Sequence, residues 1–488
     1  MFGAVCALVS FSVILLLVLI DLFSVQASPY LGIIAFIILP VILIFGLILI
    51  PIGMRIERSR RSKTLAGEEI RPFRIDLAIP SHRLATFIFL SGTVVFFLAT
   101  AVGTYQAYEF TESVTFCGQV CHSVMAPEFT AYQYSPHARV TCAECHVGSG
   151  AGWYARSKLS GAYQVYATAF DAFPRPIPTP IENLRPARET CEQCHWPDKF
   201  HGSQEKLFDH YMADEENTYW PIRLLIKTGG GSKERGVAEG IHWHMNIANE
   251  IDYIATDTAR QEIAWVRIKD HEGNVRDYVN EDNPIEPEEM SKFEMRRMDC
   301  IDCHNRPTHI YRAPSKAVNQ FLSMGTIDRT LPSAKRIAIE ALIRDYATRD
   351  SARVAIADQI RETYNDEYPE IVDARKEDIE KMIAGVQEIY RRNFFPEMKV
   401  KWDVYPDNLG HFLSPGCYRC HNGKFVSRED GSTITNDCTA CHTIISQGPG
   451  NAGHTISPDG LEFKHPVDIE GEWRETGCSE CHDGTSQL

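Results

Sequence analysis

Hydrophobic positions fall into three continuous blocks near the N-terminus and then into shorter periodic stretches. Phe2 to Leu22, Leu31 to Ile52 and Leu84 to Tyr108 are apolar almost throughout, and a helix of such length crosses the roughly 30 Å hydrocarbon core of a bilayer. They predict three transmembrane helices. The first block lacks a basic leading region and is followed within a few residues by the second, so it reads as a retained span rather than a cleaved signal peptide. Beyond residue 110 the pattern changes. Arg223 to Lys227, Ile251 to Thr256, Glu262 to Lys269 and Val275 to Val279 show period-two stretches, which predict a small β module within Thr218 to Asn283. Pro332 to Glu397 is helical in its periodicity, with Ile337, Ile339, Leu342, Ile343 and Tyr346 followed by Ile379, Met382, Ile383, Val386, Ile389 and Tyr390. These positions read as core and spacer.

Charge orients the spans. Arg55, Arg58, Arg60, Arg61, Lys63, Arg71, Arg74 and Arg83 lie between the second and third blocks, whereas Ser24 to Tyr30 holds no Lys or Arg. Positive loops stay in the cytoplasm, so the N-terminus is expected there too and everything after the third span on the periplasmic side. Residues 1–110 are net +2, which leaves −17 of the formal charge of −15 on the remainder. So acidic a domain does not suit nucleic acid. At 44% hydrophobic and 23% charged residues the chain of 488 is not a disordered one.

The 15 cysteines carry the chemistry. Six copies of C-x-x-C-H pair Cys142 with Cys145, Cys191 with Cys194, Cys300 with Cys303, Cys417 with Cys420, Cys438 with Cys441 and Cys478 with Cys481, closed by His146, His195, His304, His421, His442 and His482. A wider seventh copy reads Cys117-Gly-Gln-Val-Cys121-His122. Cys6, left over, is a small apolar residue of the first span. Two thiols about one helical turn apart can each form a thioether with a haem vinyl group, while the next residue brings an imidazole under the iron. One such motif could be a zinc or redox pair; seven read as seven covalent haems c. Haem attachment of this kind needs the periplasmic side of a bacterial inner membrane, in agreement with the charge pattern.

Electron-transfer irons take a second axial ligand, and the 18 histidines leave 11 outside the motifs. His82 falls on the cytoplasmic side. His271 sits in the turn sequence Lys269-Asp-His-Glu-Gly-Asn274 and reads as solvated surface. His137, just before the second motif, His309, just after the fourth, and His411, just before the fifth, are the favoured distal ligands. From His201 and His210, from His242 and His244, and from His454 and His465, one ligand each is expected.

Residues 84–310 resemble the NapC/NirT family of membrane-anchored multihaem quinol dehydrogenases. The likeness rests on a membrane helix with a haem motif just beyond it, a second motif Cys142-Ala-Glu-Cys-His146, a third, and a fourth in Cys300-Ile-Asp-Cys-His-Asn-Arg-Pro-Thr-His309. With seven motifs and three spans it narrows to inner-membrane cytochromes of metal-reducing bacteria. The resemblance implies that His137 and His309 are distal ligands, that Met125 can reach the first iron in place of His122, and that menaquinol binds at the membrane surface beside the first haem. A lysine and a carboxylate are implied there, for which the amphipathic stretch after the second haem offers Arg156, Lys158, Gln164 and Asp171. This chain departs from the family in its wider first motif and in the long insertion between its third and fourth motifs.

The expected fold is therefore a mostly α, membrane-anchored multihaem cytochrome c with three transmembrane helices and a haem-packed periplasmic domain holding a small β insertion. It is divided into 1–110 (anchor), 111–217 (haems 1–3), 218–299 (β insertion), 300–331 (haem 4), 332–397 (helical spacer) and 398–488 (triple-haem module). The last places three motifs in so little protein that haem stacked on haem is expected to form most of its core. The expected function is menaquinol oxidation, with electrons passed to periplasmic c-type cytochromes or a periplasmic reductase in respiration to extracellular or periplasmic acceptors. The alternatives are a nitrite- or hydroxylamine-type reductase with one open haem, and a subunit that only anchors a partner enzyme.

Overall fold

The computed structural model describes residues 2–23, 38–64, 76–120, 122–181, 185–196, 202–229, 240–245, 249–270, 272–450 and 455–485. His201, His271, His454 and Cys121 lie outside that set. The chain divides into two compact units, residues 1–125 with 141–143, and residues 126–140 with 144–488.

The first unit holds α1 (Phe2–Phe23), α2 (Leu39–Thr64) and α3 (Pro80–Glu112). Small residues let α1 and α2 approach closely. A Cβ at Gly3 would fall 2.7 Å from the Gly46 carbonyl oxygen, and one at Gly46 would fall 2.8 Å from the Ala7 nitrogen; backbone packing of this kind is how apolar helices associate without a hydrophobic drive. Among the described residues two helices are long and apolar enough to cross a membrane, over Leu39–Glu57 and Pro80–Glu112, while the shorter apolar run of α1 covers Phe2–Leu17. Of the second expected span, residues 31–37 lie outside the described set, and α2 runs on past Ile52 into the basic segment as far as Thr64.

The second unit contains α4 (His122–Gln133, from Ala126 onward), α5 (Ala151–Ala169), two antiparallel sheets and a four-helix cluster. The strands are β1 (Gln204–Phe208), β2 (Ile222–Ile226), β3 (Glu250–Ala255), β4 (Ile263–Lys269), β5 (Val275–Asn280), β6 (Met295–Arg297), β7 (Phe425–Ser427), β8 (His442–Gln447) and β9 (Thr455–Leu461). One sheet has the order β1-β2-β8-β9, the other β6-β3-β4-β5-β7. The period-two stretches of the insertion do form β2 to β5. One expectation is corrected: the domain is mixed helix and sheet rather than mostly α. Strands β1, β7, β8 and β9 lie outside 218–299. Strand β2 pairs with β8, Ile226 opposite His442, and β5 pairs with β7, Asn280 opposite Phe425. Short strands leave unpaired backbone groups at their edges, and here segments from the C-terminal module cover them.

The helices are α6 (Pro314–Ser323), α7 (Ala334–Leu342), α8 (Arg349–Glu367) and α9 (Lys376–Asn393). Their packing begins at Pro314, within the segment assigned to haem 4. Ile337, Ile339, Leu342, Ile356, Ile360 and Met382 are fully buried. Thr348 caps α8, its side chain accepting from the Ser351 amide at 3.1 Å.

Candidate haem sites

Local geometry repeats at the motifs. The amides of His195, His304, His421 and His482 donate to the carbonyls of Cys191, Cys300, Cys417 and Cys478 at 2.8, 2.8, 3.0 and 2.9 Å. A single helical turn therefore carries each histidine back beside its first cysteine. Cys142–His146 is a helical turn as well, whereas His442 opens β8. At Cys300 the turn is capped by Asp299 and anchored by Asp302, which accepts from the Tyr253 hydroxyl at 2.7 Å and from Arg296 Nε at 3.1 Å. Burial and the Asp302 carboxylate push the Tyr253 phenol well above its ordinary range.

Each of these six motif histidines faces a second imidazole. Ring centroids are 6.3 Å apart for His146 and His309, 6.0 Å for His195 and His137, 6.4 Å for His304 and His242, 5.7 Å for His421 and His244, 6.2 Å for His442 and His411, and 6.0 Å for His482 and His465. Two imidazoles bound at about 2 Å to one metal ion hold their centroids about 6 Å apart, so the spacing fits an iron between them. Among the described residues no three His, Cys, Asp or Glu side chains are grouped to hold a metal ion by themselves. Pairs suit a metal whose other ligands come from a macrocycle.

The second ring nitrogen is also provided for. Nδ1 of His309, His137, His242, His244, His421 and His465 lies 3.0, 3.2, 2.9, 2.9, 2.7 and 2.7 Å from the carbonyls of Glu128, Pro307, Thr228, Ile241, Thr435 and Val467. A carbonyl only accepts, so Nδ1 carries the proton and Nε2 keeps a lone pair that could ligate a metal. His411 and His442 each have a buried Nδ1 without a hydrogen-bond partner. Burial also holds His146, His242, His304, His411, His442 and His482 below the ordinary imidazole range, and His244 and His309 at about 4.

Several expected residues fall differently. Both His242 and His244 face motif histidines, where one of the two was expected. His210 faces none among the described residues; Phe412 stacks on His482 at 4.8 Å and meets His210 at 5.6 Å. Burial lowers His210 to about 4. For the first motif, Cys117 donates its amide to the Ser113 carbonyl at 3.2 Å in a π-helical turn directly after α3, and its thiol is hydrogen-bonded to that of Cys142. Half-buried Met125 follows His122 by three residues on α4.

The four quinol-site candidates are spread out. Arg156, Lys158 and Gln164 lie on α5, and Arg156 and Lys158 point about 200° apart around it. Arg156 stacks on Trp153 and Lys158 on Tyr154. Asp171, beyond the helix, pairs with Arg175 at 2.5 Å. Leu159, Tyr163, Tyr166 and Phe170 instead form an exposed apolar stripe, 75%, 65%, 55% and 71% accessible. Glu128 gave no sequence signal: it is half-buried, desolvation raises its carboxyl above the ordinary range, and it accepts from the Tyr311 hydroxyl at 3.1 Å.

Motif cysteines also adjoin across the fold. The Cys191 and Cys300 thiols are hydrogen-bonded to each other, Cys303 lies near Cys417, and the Tyr418 phenol is surrounded by Cys417, Cys438, Cys441 and Cys478, which with burial push it up to about 12.

Residues 79–176 match the N-terminal region of the NapC/NirT cytochrome c family. The cytochrome c-type protein ImcH of Geobacter sulfurreducens is 44% identical over 484 residues, covering 98% of this chain and 94% of that protein. No solved structure matches.

Proposed function

The chain belongs to the NapC/NirT cytochrome c family, among its ImcH-like members, and is a haem c protein of membrane-linked electron transfer; on that footing we propose that it oxidises menaquinol at the inner membrane and delivers the electrons to periplasmic carriers. Menaquinol gives up two electrons and two protons and leaves as menaquinone. Haem, when bound, supplies one-electron chemistry at each of seven irons. The protein's part is to hold ligands and spacing.

One observation carries this reading over a small-molecule reductase: all six C-x-x-C-H histidines have a second imidazole 5.7–6.4 Å away. A reductase needs an iron with an open position, and paired histidines leave none. In this reading His309, His137, His242, His244, His411 and His465 are the distal ligands of haems 2 to 7. The adjoining cysteines of motifs 1 and 2, 3 and 4, 4 and 5, and 5 to 7 favour a chain of haems in sequence order. His137 bonding to Pro307 favours the remaining link, between haems 2 and 3.

Three spans with a cytoplasmic N-terminus and a cytoplasmic basic loop put the motifs in the periplasm. The first haem, ligated through His122 or Met125, then lies at the bilayer surface, because Cys117 follows α3 by five residues. Such a position is open to a quinone headgroup. The exposed stripe of α5 supports a seat against lipid or quinone, with Lys158 orienting the quinol hydroxyl and Asp171, released from Arg175, receiving a proton. The test is reduction by a menaquinol analogue together with carbon monoxide difference spectra on the dithionite-reduced protein. Rapid reduction without a carbon monoxide signal from haems 2 to 7 is expected; a carbon monoxide complex at one of those six would favour the reductase.

A further inference from the structure

The His242-Trp243-His244 segment stands apart from the other ligand positions because two histidines separated by one residue face different motifs. Ile241–Met245 forms a short 3-10 turn, in which successive residues rotate by about 120°. Side chains two positions apart therefore diverge and cannot serve one iron. His242 lies 6.4 Å from His304 with the rings nearly parallel, at 10°, and His244 lies 5.7 Å from His421 with the rings at 88°.

The turn is fixed at its start and at its central residue. The amides of Ile241 and His242 donate to the carbonyls of Lys227 and Thr228 at 2.9 and 3.1 Å, directly after β2. Gly240 has φ +90°, and a Cβ there would collide with the Lys227 carbonyl. Trp243 packs against the core of the five-stranded sheet, and Asn249 Nδ2 donates to its carbonyl at 3.1 Å. The two motifs served are themselves tied together: Arg419, between Cys417 and Cys420, donates to the Asp302 carbonyl at 2.5 Å and to the Arg260 carbonyl at 2.7 Å.

We propose that the Ile241–Met245 turn is a shared ligand bridge, His242 binding the iron of the Cys300 haem and His244 that of the Cys417 haem, so that one backbone element sets the sixth ligand of two neighbouring haems. This rests on reading the motifs as haem sites and is independent of the quinol reading. No other distal histidine in the described structure has this arrangement. Gly240 is a positioning residue: it acts on both irons through the turn.

The experiment uses the full-length, haem-loaded protein and reads spin state by electron paramagnetic resonance, with haem number counted by intact mass. His242→Ala and His244→Ala should each convert one haem to high spin, and the double variant two, with the number of haems unchanged. Added imidazole should restore low spin in each. Gly240→Ala should perturb both haems in the same sample. Parent-like spectra in either single variant, or one high-spin haem in the double variant, would overturn the proposal. A parent mass with fewer than seven haems would instead count against the reading of the motifs and leave these two sites to be judged by their own spectra. If an alanine variant loses haem, His242→Met and His244→Met decide, each expected to give one haem with a raised potential; two unchanged potentials would overturn the bridge.

Discussion

The four-helix cluster and the C-terminal triple-motif segment are of similar length and reach order by different routes. Residues 314–398 contain 26 buried hydrophobic side chains, most fully inaccessible, whereas 401–485 contain three among the described residues, Tyr405, Phe425 and Ile444. The first has a core made of side chains, with amphipathic helices facing inward. The second is held by backbone pairing to β2 and β5, by glycine-rich turns, and by rings such as Tyr418, which stacks on His411 at 4.3 Å. Its proposed core is haem, and the comparison teaches that a chain can give over a segment to cofactor packing when a neighbouring segment folds on ordinary hydrophobic burial.

The largest effect expected from breaking this contrast is removal of one haem. Replacing Cys438 and Cys441 by Ser should lower the intact mass by one haem and expose much of 401–485 to protease, with the fragment spanning 314–394 still resistant. Equal digestion of both regions would show that the helical cluster is not independently stable.

A core deletion in the other region should act the opposite way. Ile360→Ala removes a fully buried side chain, at a cost of about 2–5 kcal/mol. Its thermal transition should fall while the haem absorption spectrum and spin states stay as in the parent. Next in size is His411→Ala, which should open one iron, seen as a single high-spin haem that binds carbon monoxide; a low-spin spectrum would remove His411 as a ligand.

Met125→Leu sharpens the view of the first haem. If methionine ligates that iron, the rate of reduction by a menaquinol analogue should drop several-fold, with dithionite reduction intact; unchanged quinol kinetics would leave His122 as the ligand. The smallest effect belongs to Thr348→Ala, which removes the cap of α8 and should cost about 1 kcal/mol, measured as a shift of the same thermal transition as Ile360→Ala.

What was legible in the sequence was local. C-x-x-C-H is complete within five residues, so six candidate attachment sites stand out without knowledge of the fold, and the periodicities of 332–397 and 251–279 marked helices and strands because burial on one face repeats with the backbone. His137, His309 and His411 could be singled out by their closeness to motifs. The structure alone decided the rest, since ligand pairing depends on which distant segments meet. His244 reaches His421 because strand pairing and the Lys227 carbonyl hold its turn, and His210 meets Phe412 while His482 faces His465. Neither fact leaves a trace in the spacing of histidines along the chain, because a side chain's partner across space is set by the packing of whole elements, and no short stretch of residues encodes that packing by itself.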